Sequence, residues 1–464
     1  MGLLTGILLL YGFKPGNDPE PPEWSVKQGW VYKDGEKFLA LGLWGIPGYE
    51  AKLSRVDTDS ANIARFKQIA ELFNLIYCQF GREQSYMAES VLMTGWDFFQ
   101  WRMVKRFVGD SLYSPDKDGS GHIDYREMRF VKDNIETYYK DYIGNQIVEP
   151  VLQRFAPFNF IWFLMDEPNT GFQNWAWHPA IVFKYAQEVR RRSPGKVILL
   201  DLFGSLKGDR FNYELIHAKT FSRLPERLPS GIHPEQLEGD PEKLYTYNYA
   251  ADGTSLYYFD ATGNTWRPRP WPLFREKYYY NVFQTALLYH SSADVFSVNS
   301  YPDFFRYPEA AAIVVNAIKD ACGQDKPVWL FFDGAAVAKP KHVSVTDYVK
   351  NVRCQIYLSM IHGATGVLIW SKKEASWTYF QLLMDVLREI KRYRFVFEGN
   401  TESSGILQEK VHFCIKTTDS EQRFLILANS DKSTTYHIRD VNGHPVNKRL
   451  EPLDVVVMQL GRNQ

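Results

Sequence analysis

The feature that most constrains the fold is a regular alternation, from about residue 28 to residue 400, of short apolar runs with longer amphipathic stretches. A short apolar run is typical of a strand buried on both faces, and a helix between two such runs connects parallel strands. Repetition of this unit predicts a parallel sheet covered by helices. Because the chain has 464 residues, a closed (β/α)8 TIM barrel of about 250 residues fits, with room for further modules.

Most of the eight units can be placed along the chain. Strands are predicted at 38–44, 74–80, 158–165, 196–202, 294–300, 327–332 and 366–370. Helices are predicted at 61–73, 125–155, 179–192, 274–290, 308–321, 346–362 and 377–393. The third unit is ambiguous, because residues 92–108 fit either a helix or a strand. An introductory hairpin is expected at 28–37.

Three domains follow from these patterns. Residues 1–27 form a leader and linker, and residues 28–400 form the barrel, with a long insertion at 205–272. Beyond Gly399 the apolar runs become short and alternating, which predicts a small antiparallel β domain at 401–464.

Composition limits the partners. Lys plus Arg and Asp plus Glu both count 54, so the chain has no net charge to attract nucleic acid or an anionic membrane surface. Aromatic residues make up 16% of the chain, including 13 Trp and 28 Tyr. Aromatic rings stack on the apolar faces of sugar rings, so the composition is compatible with a carbohydrate cleft.

The N-terminus indicates export. An apolar run at residues 3–10 is too short to span a bilayer, and a Pro- and Gly-rich tether follows it. The arrangement resembles the leader of a bacterial lipoprotein, although Phe13 stands where the lipidated cysteine would be. We expect a bacterial protein in the periplasm, at the cell surface or outside the cell, with membrane contact only through an N-terminal anchor. The four cysteines are widely scattered and indicate neither a zinc site nor a disulfide framework.

A twelve-residue loop at 116–127 predicts a calcium ion. Its sequence, DKDGSGHIDYRE, resembles an EF-hand loop with glycine at the sixth position. The predicted ligands are Asp116, Asp118, Ser120, His122 through its carbonyl, Asp124 and Glu127. The alternative is a solvated acidic turn. Because there is one such loop, and Ser114-Pro115 interrupts any entering helix, a structural ion is favoured over a regulatory one.

The chemistry of a barrel lies at the carboxyl ends of its strands, where strand 4 runs directly into Asp166 and Glu167. Glu167 is the predicted catalytic acid. We expect Trp162 and Trp175 to crowd this rim, and the resulting loss of hydration favours the protonated carboxyl group that a proton donor needs. The alternative is an acid that caps the next turn.

Four segments carry a family resemblance. The sequences WFLMDEPN at 162–169, SVNSYP at 297–302, KPVWL at 326–330 and GATGVLIW at 363–370 resemble the large clan of retaining (β/α)8 glycoside hydrolases that contains β-galactosidases and cellulases. The resemblance implies that Glu167 is the general acid/base and that a glutamate ends strand 7 as the nucleophile. Phe332 occupies that position and Asp333 follows it. We take Asp333 as the nucleophile, although a one-residue offset points a side chain away unless the strand ends in a bulge.

The resemblance also places sugar contacts around this pair. Tyr301 corresponds to the clan's aromatic hydroxyl beside the nucleophile, and Trp370 to the tryptophan beneath the sugar; both could instead be barrel packing. The other predicted substrate contacts are Trp44, Gln79, Asp166, Asn169, Asp201 and Asn299. Asp201 and Asp303 are also reserve carboxylates for an inverting mechanism, which needs a wider separation than a retaining one.

The sequence therefore predicts an exported glycoside hydrolase that acts on an oligo- or polysaccharide by double displacement. Two alternatives stay open. Phe332 at the nucleophile position favours a carbohydrate-binding barrel without catalysis, and the calcium loop is compatible with a calcium-responsive interaction protein.

Overall fold

A computed structural model describes residues 23–45, 60–77, 91–95, 142–155, 159–168, 179–203, 257–260, 265–268, 273–299, 301–372 and 374–461. Within them, eight parallel strands form the barrel: β4 Ala40–Trp44, β5 Leu75–Tyr77, β6 Val91–Gly95, β7 Phe160–Asp166, β8 Ile198–Phe203, β11 Val295–Asn299, β12 Val328–Asp333 and β13 Gly366–Trp370. They are hydrogen-bonded in this order, and β13 pairs with β4 to close the barrel. The predicted TIM barrel is confirmed.

Helices alternate with the strands. They are α1 Ser60–Leu72, α2 Glu149–Phe155, α3 Pro179–Arg192, α4 Leu273–Leu288, α5 Tyr301–Arg306, α6 Ala310–Cys322, α7 Val345–Ile361, α8 Trp377–Arg392 and α9 Arg394–Phe397. No helix among the described residues is long and apolar enough to cross a membrane.

The ambiguous third unit begins with a strand, β6, rather than a helix. The helix predicted at 125–155 is described only from residue 142, where a π-helical segment, Ile143–Val148, runs into α2. Inside the predicted insertion the structure describes one antiparallel hairpin, β9 Tyr257–Asp260 with β10 Thr265–Pro268.

Side chains alternate between the barrel axis and the surrounding helices, as the period of a strand requires. The mouth of the barrel is the end at which the strands have their carboxyl termini. Below it, the axis is filled by an aromatic layer made of Trp44, Tyr77, Phe163 and Phe331. The Trp44 ring lies 4.5 Å from that of Tyr77, 5.1 Å from that of Phe163 and 5.9 Å from that of Phe331, measured between centroids. This layer, called the aromatic floor below, lies under the polar groups at the carboxyl ends of the strands.

The opposite, N-terminal end of the barrel is closed by the introductory hairpin. Strands β1 Trp24–Lys27, β2 Trp30–Lys33 and β3 Glu36–Lys37 form a small antiparallel sheet. Trp24 and Val31 are buried with the residues of the barrel axis, and the Trp24 ring packs edge-on against Phe38, just before β4.

One irregularity decides what faces the mouth. The register between β7 and β8 shifts between Phe163 and Met165. Leu164 and Met165 both pack outward, against the helices. This bulge moves Asp166 onto the inner face, opposite Asp201 of β8.

The predicted C-terminal β domain is also confirmed. Its strands are β14 Asn400–Leu407, β15 Val411–Thr417, β16 Arg423–Asn429, β17 Tyr436–Val441, β18 His444–Leu450 and β19 Val455–Gln459. Strands β14, β15, β16 and β19 form one antiparallel sheet, and β17 pairs with β18. One face of the larger sheet, with Cys414, Ile426 and Ala428, belongs to the same buried cluster as the barrel helices. The domain is therefore packed directly on the barrel.

Candidate active site

Three acidic side chains meet at the mouth. Asp166 ends β7, Glu167 follows it, and Asp201 lies opposite on β8. One carboxylate oxygen of each lies within 4.8 Å of those of the other two. Asp166 and Glu167 are half-buried, whereas Asp201 is fully buried. The site therefore has two acids that solvent can reach and one beneath them.

The backbone at Glu167 explains how neighbouring residues share one pocket. Successive side chains on a strand point to opposite faces, but Glu167 has a left-handed φ of 44°. Its N–H donates to the carbonyl of Asp201 at 2.9 Å. This geometry brings both carboxyl groups towards Asp201. Left-handed backbone costs a non-glycine residue about 1 kcal/mol or more, and such strain is concentrated at functional sites.

Asp201 is held in a polar cradle. Its Oδ1 accepts from the Ser297 hydroxyl at 2.6 Å, and its Oδ2 accepts from the Asn299 amide at 2.7 Å. Burial, supported by the negative charge of Glu167, raises the pKa of Asp201 to about 8 despite these hydrogen bonds and one with Asp166. Burial therefore favours the protonated form of Asp201 at neutral pH.

Tyr301 and Trp370 form an aromatic wall beside the acids. Tyr301 is the first residue of α5, and Trp370 is the last residue of β13. Their rings stack with centroids 5.7 Å apart and planes 25° apart. Burial and the nearby charges of Asp201, Asp333, Glu167 and Asp166 raise the pKa of Tyr301 well above its usual range. The phenol therefore stays protonated and can donate a hydrogen bond.

Asp333 ends β12 in regular register with β13. Trp329 and Phe331 face the barrel axis, while Phe332 packs outward. By the alternation of the strand, Asp333 and not Phe332 has the inward phase, and no bulge in β12 is needed. The bulge lies in β7 instead.

The carboxylate of Asp333 is nevertheless occupied. Its Oδ1 accepts from Ala335 N at 3.0 Å, and its Oδ2 accepts from Ala338 N at 2.8 Å and from the Tyr348 hydroxyl at 2.6 Å. These bonds fold the chain after β12 back on itself and tie it to α7. Asp333 therefore supports the loop at 334–338, and its role as nucleophile stays a prediction.

The 334–338 loop is hydrogen-bonded to the end of β13, which carries Trp370. Gly334 N donates to the carbonyl of Trp370 at 2.7 Å, and the Ser371 hydroxyl donates to the carbonyl of Gly334 at 3.2 Å. A Cβ atom on Gly334 would lie 2.3 Å from the Ile369 side chain and 2.6 Å from the Trp370 carbonyl. Only glycine allows this approach, which fixes the position of Trp370.

Other expectations had mixed outcomes. Trp162 does not line the rim; it is fully buried among the barrel helices, with Tyr185 edge-on at 6.2 Å. Asp303 is also fully buried, within α5. Trp44 is partly exposed on the aromatic floor. Predictions on Gln79, Asn169, Trp175 and the calcium ligands at 116–127 lie outside the described residues.

Two contributors, Ser297 and Tyr348, were missed from sequence, whereas Asn299 was predicted as a substrate contact. Ser297 and Asn299 alternate on β11 and both face Asp201, a pattern visible in the sequence as polar residues two apart in an apolar strand. Tyr348 could not have been found, because only the packing of α7 brings its hydroxyl to Asp333.

The three clustered carboxylates also have the spacing to contact one cation. Oxygen ligands suit a hard ion such as Mg²⁺ or Ca²⁺. A cation bound there would compete with a proton for Asp201, because burial raises the pKa of that carboxyl group.

Comparisons with known proteins give only distant structural similarity. No family model matches the chain, and no curated protein matches it in sequence. Among solved structures, the chain is similar to a β-glucuronidase from an uncultured Clostridium, with 9% identity, 79% of this chain and 53% of that chain covered, and a TM-score of 0.40. It is also similar to a GH2 β-galacturonidase from Eisenbergiella tayi, with 10% identity, 79% and 54% covered, and a TM-score of 0.41.

A GH36 α-galactosidase from Geobacillus stearothermophilus is similar over 91% of this chain and 55% of its own, with 9% identity and a TM-score of 0.39. The chain therefore spans about half the length of these proteins. At this level of identity and overlap, the similarity gives no information on substrate or on residue roles.

Proposed function

We propose that the chain is a glycoside hydrolase whose catalytic centre is the group of Asp166, Glu167 and Asp201. The observation that carries the proposal is the convergence of these carboxyl groups at the mouth of the barrel in unlike environments. Cleavage of a glycosidic bond needs one carboxyl group that gives a proton and one that acts as an anion. A pocket that holds both forms at neutral pH supplies this pair.

Glu167 is assigned as general acid/base. It is half-buried and lies at the rim, where a leaving oxygen can reach it. Like-charge repulsion among three acids within 4.8 Å of one another favours retention of a proton. Because their titrations are coupled, this proton can reside on Glu167 as well as on Asp201. In the first step Glu167 would protonate the leaving oxygen, and in the second it would take a proton from the attacking water.

Two carboxylates can complete the pair. Asp166 is half-buried, and its oxygen lies within 4.8 Å of that of Glu167, closer than the roughly 6.5–9.5 Å of inverting enzymes. Asp333 was predicted from the sequence, but its two carboxylate oxygens already accept three hydrogen bonds from the loop and from α7. The contacts favour Asp166 as the anion that meets the sugar, with retention of configuration.

Trapping distinguishes the two carboxylates. A 2-deoxy-2-fluoro glycosyl fluoride of a sugar that the enzyme cleaves should accumulate as a covalent ester. Peptide mass spectrometry would then locate the label. An ester on Asp166 supports the assignment made from the contacts, and an ester on Asp333 restores the assignment made from the sequence. If NMR showed that the product has inverted anomeric configuration, neither Asp166 nor Asp333 would be a nucleophile.

The aromatic residues suit a carbohydrate. Trp370 and Tyr301 form a stacked wall, and Trp44 is partly exposed on the floor. Rings of this kind bind the apolar faces of sugars, while the Tyr301 hydroxyl can meet a sugar hydroxyl. We therefore propose an oligo- or polysaccharide substrate.

The first experiment is a screen of the full chain against aryl glycosides and polysaccharides, followed by Glu167→Gln on every substrate that is cleaved. Removal of a general acid/base should lower kcat by about 10²- to 10⁴-fold. Glu71→Gln, an exposed glutamate on α1, is the matched control and should keep wild-type kcat. An equal rate for Glu167→Gln and the control would remove Glu167 from the mechanism.

Calcium at 116–127 and export of the protein are proposed from the sequence. A structural ion that binds only the folded state raises the melting temperature. The melting temperature should therefore fall when EGTA is added and recover with excess calcium. An Asp116→Asn, Asp118→Asn variant should not respond to either addition. The same response in this variant and in the wild type would show that calcium does not bind to this loop.

A carbohydrate-binding role without catalysis is the second candidate. It is favoured by the three hydrogen bonds that the carboxylate of Asp333 already accepts, since Asp333 is the acid that the sequence offers as nucleophile. It predicts saccharide binding by calorimetry with no product after prolonged incubation.

A further inference from the structure

The segment from Tyr301 to Glu309 connects the active site to the C-terminal β domain. It contains α5, which starts with Tyr301 at the acids, and the turn that leads into α6. Tyr307 N donates to the carbonyl of Asp303 at 2.7 Å, and Ala310 N donates to that of Tyr307 at 2.8 Å. These hydrogen-bonded turns connect Ala310 back to Asp303 in α5. This stretch is called the 301–309 segment below.

The β domain holds the distal end of the 301–309 segment. Glu309 is buried, with a relative exposure of 8%. Its Oε1 accepts from Lys410 Nζ at 2.6 Å and from the Ser430 hydroxyl at 2.9 Å. Removal of one partner from a buried ion pair leaves an uncompensated charge and strongly destabilises the folded protein. The position of Glu309 therefore depends on two residues of the β domain.

A second contact acts on the middle of the 301–309 segment. Lys432 Nζ donates to the carbonyl of Phe305 and lies 4.4 Å from the centroid of its ring. From the barrel side, Asn351 of α7 donates to the same carbonyl at 3.2 Å. The last carbonyls of a helix have no partner within the helix, so these donors fix where α5 ends.

The turn that carries Lys432 is rigid. Asp431 Oδ1 accepts from Ser433 N at 2.8 Å and from Thr434 N at 3.0 Å. The Asn429 side chain accepts from Asp431 N at 2.9 Å and donates to the carbonyl of Thr434 at 2.8 Å. With its side chains bonded to its own backbone, the turn presents Lys432 in one orientation.

We propose that the C-terminal β domain, through Lys410, Ser430 and Lys432, positions Tyr301 in the active site. Glu309 and Phe305 are the points of contact, and the 301–309 segment passes their position to the phenol. Lys410 and Lys432 are positioning residues, since neither reaches the acids. The proposal rests on the proposed hydrolase function of the site, and it makes the β domain part of the catalytic unit.

The test compares two ion pairs across one interface. Lys410→Met removes the partner of Glu309, whereas Lys350→Met removes the pair between Lys350 of α7 and Asp454, 3.1 Å apart, which does not touch the 301–309 segment. Lys410→Met should lower kcat by about ten- to a hundredfold with little change in KM, because small displacements of catalytic groups are costly. Lys350→Met should keep wild-type kcat. Equal kcat values for the two variants would overturn the proposal.

A double-mutant cycle shows whether the effect runs through Tyr301. In a Tyr301→Phe background, Lys410→Met should lower kcat no further than Tyr301→Phe alone. The same proportional loss in both backgrounds would mean that Lys410 acts by another route, and the proposal would fail. Lys432→Met should behave like Lys410→Met in this cycle.

A readout without turnover separates this proposal from the proposed function. With 3-fluorotyrosine placed at position 301, Lys410→Met should shift the ¹⁹F resonance, and Lys350→Met should leave it unchanged. If the protein hydrolyses no glycoside, the hydrolase proposal fails while this result still decides the positioning. An unchanged resonance in Lys410→Met would overturn the positioning even in an active enzyme.

Discussion

At the scale of single residues, the three acids at the mouth differ in how deeply they are buried. Asp201 has no exposed surface and a pKa of about 8, while the adjacent Asp166 and Glu167 are half-buried. The sequence identified Glu167 because it follows an unbroken apolar strand, and it predicted Asp201 as a substrate contact and a reserve carboxylate. Depth in the pocket separates these residues, and depth depends on the pairing of β7 with β8, which no local pattern encodes.

The protonation of Asp201 makes stability depend on pH. Its folded pKa is raised from the ordinary 3.8 to about 8, so its contribution is complete below about pH 4 and is lost as the pH rises through 8. Asp201→Asn resembles the neutral acid and does not titrate. The melting temperature of Asp201→Asn relative to wild type should therefore increase by several degrees between pH 5 and pH 9.

Asp385→Asn, at an exposed position of α8, is the control and should show a constant difference from wild type. If Asp201→Asn also follows the wild-type pH profile, the buried carboxyl group does not hold a proton.

At the scale of elements, the alternation of apolar runs predicted nearly every strand and helix of the barrel. The bounds of α3 and β13 agree with the prediction, because a basic turn ends the one and glycine begins the other. The bulge in β7 could not be predicted, since apolar residues fill both of its faces. Trp162 lies before this bulge, on the outer side of the strand and four residues from its end, so it cannot reach the rim.

The loop after β12 gives a prediction at this scale. Tyr348 and Tyr357 are both on α7, and their hydroxyls donate to Asp333 at 2.6 Å and to Glu389 at 2.9 Å. Either Tyr→Phe change should cost about 1–3 kcal/mol of unfolding free energy, because a carboxylate loses a donor.

Only Tyr348→Phe should also lower kcat, since Asp333 supports the loop that is bonded to Trp370. Chemical denaturation and steady-state kinetics on the two variants provide the measurement. A similar loss of kcat in Tyr357→Phe would show that the effect is one of general stability.

At the scale of the whole molecule, α7 joins the barrel to the β domain. Arg353 of α7 binds Glu389 of α8 and the carbonyl of Val455 in β19, and Cys354 contacts the carbonyl of Asn429 in β16. The sequence predicted a β domain from its alternating runs. It could not predict where the domain packs, because these contacts join residues far apart in the chain.

A histidine pair at this junction predicts acid sensitivity. His362 Nε2 lies 2.8 Å from His412 Nδ1 of β15. Burial lowers the pKa of His362 to about 4, and burial with the charges of His362, Lys410 and Arg275 lowers that of His412 to about 3. The neutral pair stabilises the fold above the unfolded pKa of about 6.5, and this stabilisation is lost as the pH falls towards 4.

The melting temperature should thus drop between pH 6.5 and pH 4, and His412→Gln should flatten this part of the profile. The control is His437→Gln, at an exposed position of β17, which should retain the wild-type slope. An unchanged slope in His412→Gln would assign the acid sensitivity to other groups.

The most direct measurement of the central claim is the dependence of kcat on the leaving group in Glu167→Gln. If Glu167 protonates the leaving oxygen, kcat should fall by about a hundredfold or more for a poor leaving group such as a second sugar or an alkyl group. It should fall far less for dinitrophenolate, which departs without a proton. An equal loss on both substrates, or no loss on either, would contradict the assignment of Glu167 as the proton donor at the mouth of this barrel.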